Sequence, residues 1–363
     1  RDKAIIERLI YNKETVGNPT NVNITWYKNS NETVLELAEM LHNANLNRGI
    51  TLSVQSMNPD TLKNIQRVNM ESQNLGKMYE MCNDKHIEFY TEFILGLPFE
   101  TKESWRKGIC EAVELGCHSD LAKQIKQHEM EIFEFDTVEP RQLTAIPEKH
   151  NFVVSTKYMS RDDFLDSWMW GWLIINFHAY GWTQVATRFA NKYLGISMFD
   201  LYTDFFDNCV KNDELLWSLY QEQRRELEIF FFEDPTEQDI MQNDDVVVYR
   251  KQMKWQTNRN HVQQRINEWT QNLLGNKVEQ EIIDDIITVS NTYTVNYKKL
   301  SDDIYNIKYN IPSYALTSEK TLKKNPFVVK AKNLTDWDDL DDFQAKLALR
   351  HRFGFSRRIL EYV

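Results

Sequence analysis

The sequence predicts an α/β fold with a parallel sheet over residues 1–140, followed by a mainly α-helical extension with a few strands over 141–363. Three observations carry this reading. Apolar segments of strand length recur through the first part with helical segments between them, the signature of βαβ units. The longest of them, 87–97 (IEFYTEFILGL), is nearly continuous in apolar character, as a strand buried on both faces is. From about residue 140 the pattern turns to long segments of helical period.

Taken in order, residues 2–13 form a helix with Ile5, Ile6, Leu9 and Ile10 on one face. Residues 21–27 (NVNITWY) read as a strand, and 32–44 as a helix with Val34, Leu35, Leu37, Ala38 and Leu41 at helical spacing. A strand is expected at 50–54, helices at 59–65 and 75–84, the long strand at 87–97, and a helix at 101–115 ending at Gly116. A further strand is expected at 130–135. The stretch 138–155, holding Pro140 and Pro147, reads as a linking loop. Beyond it helices are expected at 161–177, 182–193, 198–210, 213–228 and 261–274, with strands at 246–254 and 288–297. Periodicity alone leaves a doubly wound sheet and part of a (β/α) barrel as equal alternatives for the first part.

Composition narrows the function classes. A net charge of −11 argues against the basic face needed to neutralise a phosphate backbone, so no nucleic-acid partner is expected. No run of about 18 apolar residues is present, which argues against a membrane span. The four cysteines, Cys82, Cys110, Cys117 and Cys209, form no CxxC or CxxxCxxC cluster and read as reduced thiols of a cytoplasmic protein. The chain opens on Arg1 inside a helical pattern, and is expected to be a fragment of a longer protein.

Three segments stand at the C-terminal ends of expected strands, where parallel α/β sheets and barrels build their sites. The first is Trp26-Tyr27-Lys28-Asn29, which also fits an ordinary polar turn. The second is Gln55-Ser56-Met57-Asn58-Pro59, followed by Arg67. Its amide and hydroxyl suit a ribose or an amino-acid head group, and Arg67 suits a carboxylate; equally, Ser56 or Asn58 caps the helix that Pro59 opens, and Arg67 is a surface charge. The third is Glu92 to Thr101 (EFILGLPFET), in which Gly96 permits close backbone approach and Leu97-Pro98 makes a rigid turn. Glu92, inside an apolar strand, requires a partner, whether a ligand or a structural group.

Together and in this order these segments resemble the radical S-adenosylmethionine (SAM) family, in its cobalamin-binding-domain subgroup. "LSVQSMNPDTLKNIQR" looks like that subgroup's fourth-strand segment, and "EFILGLPFETKESW" like its fifth, usually E-x-I-x-G-L-P-G-E-T-x-E-S. "WYKN" resembles the end of strand three, the opening "RD" the pair after strand two, and "MSRDDFLDSWMWGWLIINFHAYGWT" the C-terminal extension. The resemblance implies that 1–140 is the C-terminal part of a partial (β/α)6 TIM-like barrel, strands three to six. It implies that Gln55 and Ser56 lie near the ribose and methionine of S-adenosylmethionine, Arg67 near its carboxylate, and Gly96 and Leu97 by the adenine. Lys28 and Glu92 would face the barrel interior, near the substrate.

Two departures from the family pattern matter. Phe99 stands where glycine is usual, so the turn must accommodate a side chain. The CxxxCxxC loop that would hold a [4Fe-4S] cluster is not in this sequence, and neither is the Gly-Gly-Glu segment; no residue here is assigned as a metal ligand or catalytic group. The implied full-length enzyme would reductively cleave S-adenosylmethionine at the cluster and start radical chemistry on a small organic molecule. It would take an electron donor as partner and cobalamin as a candidate second cofactor, with the isolated fragment inactive. The alternative is a non-catalytic barrel remnant that binds a ligand or a protein partner. His178 and the tryptophans around it read as a hydrogen-bonded histidine within packed aromatics.

Overall fold

The computed structural model describes residues 2–22, 24, 32–47, 50–66, 72–85, 87, 89–116, 122–129, 138–142, 151–232, 254–296, 301–332 and 357–363. Helices α1 (Asp2–Val16) and α2 (Glu32–Asn43) pack on each other through Ile6, Leu37 and Leu41. Strand β1 (Ile50–Gln55) follows, then α3 (Pro59–Asn64), α4 (Ser72–Asp84), β2 (Phe89–Leu95), α5 (Lys102–Leu115) and β3 (Ala122–Glu129). The three strands form a parallel sheet in the order β1-β2-β3. This is the predicted βαβ alternation; no closed barrel forms among the described residues, where the sheet has these three strands.

The sheet's two faces differ. Ile50, Leu52 and Val54 of β1 and Phe89, Phe93 and Leu95 of β2 are buried, while Ser53, Gln55, Glu92 and Ile94, the residues between them, are half-buried. The apolar run at 87–97 therefore fills one face and leaves Glu92 and Ile94 half-buried on the other, with Ser53 in register with Glu92 and, past the bulge, Gln55 in register with Phe93.

Several expectations are corrected. The strand expected at 21–27 does not form at Asn21, Val22 or Ile24, and the rest of it, Lys28 included, lies outside the described residues. The strand expected at 130–135 lies outside them too; the third strand runs earlier, at Ala122–Glu129. The expected linking loop is instead an antiparallel hairpin of β4 (Val138–Gln142) and β5 (Asn151–Thr156). Pro140 sits in β4 opposite Val153, and a two-stranded ribbon has the free edge that proline needs.

The remainder is mainly helical: α6 (Arg161–Ile174), α7 (Gln184–Leu194), α8 (Met198–Phe205), α9 (Glu214–Phe232), the short α10 (Lys254–Thr257), α11 (Arg259–Leu274) and α12 (Gln280–Tyr293). Helix α6 starts at a capping box, Ser160 with Asp163. It is buried nearly all round, through Phe164, Met169, Trp170, Trp172 and Leu173, as a central helix is. Both α6 and α8 run directly into π-helical turns, 175–179 and 206–210, which re-aim the side chains that follow. The strand expected at 288–297 is corrected to the end of α12, whose Ile282, Ile286, Val289 and Tyr293 recur at helical spacing and are buried. Strands β6 (Asp303–Tyr309), β7 (Lys324–Lys332) and β8 (Ile359–Tyr362) form an antiparallel sheet, with α13 (Ile311–Leu316) between the first two. Of the strand expected at 246–254, only Lys254 is described, and it begins α10.

One hydrophobic cluster runs from Phe93 and Leu95 of β2 through Trp105 and Ile109 of α5 into the aromatic helices. Trp105 Nε1 donates to the Ser167 carbonyl at 2.9 Å, and the Met198 amide donates to Glu114 Oε2 at 2.9 Å, so α5 anchors both α6 and α8. No helix among the described residues is long and apolar enough to cross a membrane.

Candidate functional site

The C-terminal ends of β1 and β2 lie side by side and each opens into an irregular loop. β1 ends in a bulge between Ser53 and Gln55, and Gln55 is in the left-handed region at φ 66°. For a residue with a Cβ that conformation costs roughly 1–2 kcal/mol, and bulges and strained residues concentrate at functional positions. The next residue, Ser56, is buried at 1% exposure. Its Oγ accepts from the Asn58 amide at 3.0 Å and donates to Glu100 Oε2. Asn58 caps α3 by accepting from the Asp60 amide at 3.0 Å, and Pro59 occupies the first turn, so the capping role belongs to Asn58.

At the end of β2, Gly96 has φ 95° and Phe99 has φ 67°. The glycine that is usual at the second position thus has a physical reason here: the turn passes through the left-handed region, and Phe99 adopts it with a side chain. The Phe99 ring stacks on Tyr158, centroids 4.5 Å apart. The close approach that Gly96 permits is to the hairpin, since a Cβ there would lie 3.3 Å from both the Val153 Cγ1 and carbonyl oxygen. Leu97 is buried at 6% exposure. Gly96→Ala is expected to destabilise the chain by about 2 kcal/mol, from a disallowed φ plus the contact with Val153. A urea midpoint equal to that of the parent would contradict it.

The hub of the two loops is Glu100, which sequence reasoning did not single out as a site residue. It is 1% exposed. Ser56 donates to one of its carboxylate oxygens and Ser104 Oγ to the other. Thr101 is the N-cap of α5 and shares a capping box with Ser104. A second strap runs from Asn58 Nδ2 to the Phe99 carbonyl at 3.0 Å. Burial pushes the Glu100 carboxyl above the usual carboxylate range, while the bonds from Ser104, Ser56 and Asn58 pull it back.

Glu92 has the partner its position requires: Ser53 Oγ donates to Glu92 Oε2 at 3.0 Å across the strand pair. In register, Glu92 also stands opposite Lys126 of β3. The structure thus gathers Gln55, Ser56, Gly96, Leu97 and Glu92 around the ends of two adjacent strands. Arg67 and Lys28 lie outside the described residues.

The cluster ligands are a different matter. Cys82, Cys110 and Cys209 are free and buried, and burial pushes each thiol up to about 12, away from the thiolate form that iron requires. Among the described residues no three His, Cys, Asp or Glu side chains are grouped to hold a metal ion. These residues do not fit a [4Fe-4S] cluster.

His178, in the first π-turn, lies within a directed network. Arg357 Nη1 donates to Gln184 Oε1 at 3.3 Å, which turns the Gln184 amide nitrogen toward His178 Nε2 at 3.4 Å. Nε2 is therefore the acceptor, and Nδ1–H faces Tyr202 Oη at 2.7 Å. Tyr202 in turn meets Thr183 Oγ1 at 2.9 Å, and Thr183 donates to the Phe177 carbonyl at 3.0 Å. Burial first, then the positive charges of Arg188 and Arg357, hold the imidazole well below its usual value. The unfolded chain therefore takes up this proton first, and stability falls as pH drops below about 6.5. His178→Asn is expected to narrow the difference in melting temperature between pH 7.5 and 5.5. An unchanged difference would remove His178 from the acid response.

No family model matches the chain. Among curated proteins it is similar to the cobalamin-dependent radical SAM methyltransferase TokK of Streptomyces tokunonensis, 30% identical over 244 residues. It is also similar to the 2-(S-pantetheinyl)-carbapenam-3-carboxylate methyltransferase of Streptantibioticus cattleyicolor, 30% identical over 247 residues. Each match takes in 62% of this chain and 36% of the relative, so the chain spans little more than a third of the proteins it matches.

Proposed function

We propose that this chain, similar over part of its length to a cobalamin-dependent radical SAM methyltransferase and to a carbapenam carboxylate methyltransferase, supplies the S-adenosylmethionine-facing half of a barrel in an enzyme that methylates a small organic molecule. The observation that carries this reading is the pair of strand-end loops: left-handed Gln55 after β1 and the Gly96–Phe99 turn after β2, joined through Ser56 and Glu100. The sequential parallel order β1-β2-β3 is compatible with a barrel segment, and the reading as a barrel rests on the family resemblance.

When bound, S-adenosylmethionine would supply the reactive sulfonium; this chain's residues bind and orient it. Gln55, half-buried at the strand end, carries an amide able to donate and accept at a ribose or an amino-acid head group. Gly96 and Leu97 give the adenine a turn with an apolar side, with Ser56 as the tether beneath Gln55. Arg67 is assigned to the carboxylate by family resemblance. Glu92 and Lys28 face the substrate, Glu92 as a hydrogen-bond acceptor held by Ser53. The [4Fe-4S] cluster and cobalamin would be held by residues other than those described here. An electron donor is the expected partner, and the buried free thiols fit a reducing, cytoplasmic setting.

The test is anaerobic reconstitution of the full-length protein with iron, sulfide and cobalamin. With a reductant it should form 5′-deoxyadenosine from S-adenosylmethionine. A reconstituted protein with an intact cluster that leaves S-adenosylmethionine unchanged would sink the enzyme reading and favour a binding module.

A further inference from the structure

Glu100 sits at a position that no ligand role assigns to it, yet it meets both loops of the site. Ser56, 44 residues earlier in the chain, reaches one carboxylate oxygen, and Ser104, in the first turn of α5, reaches the other. Each hydroxyl is oriented by accepting a backbone amide, Asn58 N–H at 3.0 Å for Ser56 and Thr101 N–H at 2.9 Å for Ser104. A hydroxyl that accepts from an amide has its proton left to donate: Ser56 has the carboxylate as acceptor, and Ser104 has the carboxylate and, at 3.1 Å, the Thr101 carbonyl. Left-handed Gln55 is adjacent to one arm, and left-handed Phe99 is adjacent to Glu100 itself. Strain of that kind persists only where surrounding bonds over-determine the backbone.

The loop also has no slack behind it. Gly108 of α5 faces Met57 so closely that a Cβ there would lie 3.1 Å from Met57 Cβ. The β1–α3 loop is thus pressed onto α5 from one side and tied to its first turn through Glu100 from the other.

We propose that Glu100 is a positioning residue: its carboxylate clamps the 55–58 loop to the 96–100 turn and so fixes where Gln55 and the Gly96–Leu97 backbone face S-adenosylmethionine. The part concerning the ligand rests on the function proposed above, whereas the clamp itself does not. Burial of the carboxyl is tolerated here because a serine hydroxyl donates to each of its oxygens.

Amide hydrogen exchange on the chain as it stands separates the two parts. In Glu100→Ala, exchange at the Asn58 amide should rise about tenfold, as expected when a buried hydrogen bond is lost from a local opening equilibrium. The Leu52 amide within β1 should keep its rate. Glu100→Gln, which preserves shape and one acceptor, should restore part of the protection. Ser104→Ala cuts the arm on α5 together with the Thr101 capping contact but leaves Ser56 and Asn58 untouched, so faster exchange at Asn58 in that variant means that the restraint is carried from one loop to the other through Glu100. It also keeps the test usable if Glu100→Ala does not fold. Unchanged exchange at Asn58 in folded Glu100→Ala, or in Ser104→Ala, overturns the clamp.

Calorimetry with S-adenosylmethionine gives the second readout. Affinity should fall in Glu100→Ala and recover in Glu100→Gln, in step with exchange. Loosened loops with unchanged affinity would overturn the positioning role while leaving the clamp in place. A parent chain that binds no S-adenosylmethionine would count against the proposed function at this site, with the clamp still decided by exchange.

Discussion

Trp105→Ala is expected to destabilise the protein by about 4 kcal/mol, at the upper end of single-residue effects in a core. Trp105 is 1% exposed. It meets the Phe93 ring edge-on at 5.8 Å and ties its indole N–H to the Ser167 carbonyl. Its removal opens a cavity between β2, α5 and α6 and strips a buried carbonyl of its donor. Trp105→Phe retains most of the apolar volume but not the hydrogen bond, and should cost about half as much. The urea midpoints of the two variants give the comparison. A Trp105→Ala midpoint within error of the parent's would mean that α5 is not anchored through this side chain. Since α5 also carries Ser104, weakened packing here should loosen the strand-end loops as well.

The second large effect is expected at Arg259. Its guanidinium donates to the carbonyls of Asn291 at 3.1 Å, Thr294 at 2.8 Å and Val295 at 2.9 Å, and lies over the Trp182 ring at 5.1 Å. These carbonyls close the C-terminus of α12, where a cation also meets the negative end of the helix dipole. Arg259→Ala should cost about 3 kcal/mol, since several charge-assisted bonds are lost together without being additive. Arg259→Lys keeps the charge but not the planar fork, so it should recover only part of the loss. Thermal denaturation decides it; a lysine variant as stable as the parent would show that charge alone caps the helix.

Much of the first part of the fold was legible because its signals are local. The strand at 87–97 announced itself by an apolar run ending in Gly-Leu-Pro, and α5 by the helical segment that ends at Gly116. The hairpin was hidden by Pro140 and Pro147, which suggest a loop until a free edge is available to accommodate proline. The end of α12 was hidden by Thr288, Val289, Thr292 and Thr294, whose β-branched side chains favour strands. Tertiary burial of Ile282, Ile286 and Val289 on one stripe outweighed that preference. The same distinction applies at the site. Gln55, Gly96 and Glu92 were visible because they stand at or near strand ends. Glu100 was not visible as a site residue, since its meeting with Ser56 depends on two strands lying side by side, which no local pattern encodes.

The buried thiols have a practical consequence. Cys82, in α4, belongs to the cluster beneath the parallel sheet, whereas Cys110 and Cys209 belong to the larger cluster that reaches the aromatic helices. An alkylating reagent meets any of them only when its surroundings open, and at saturating reagent, where alkylation outpaces reclosing, it reacts at the rate of that opening. Site-resolved labelling of these three positions therefore turns the native chain into its own stopwatch, timing the breathing of the sheet side separately from that of the helical side without an added probe.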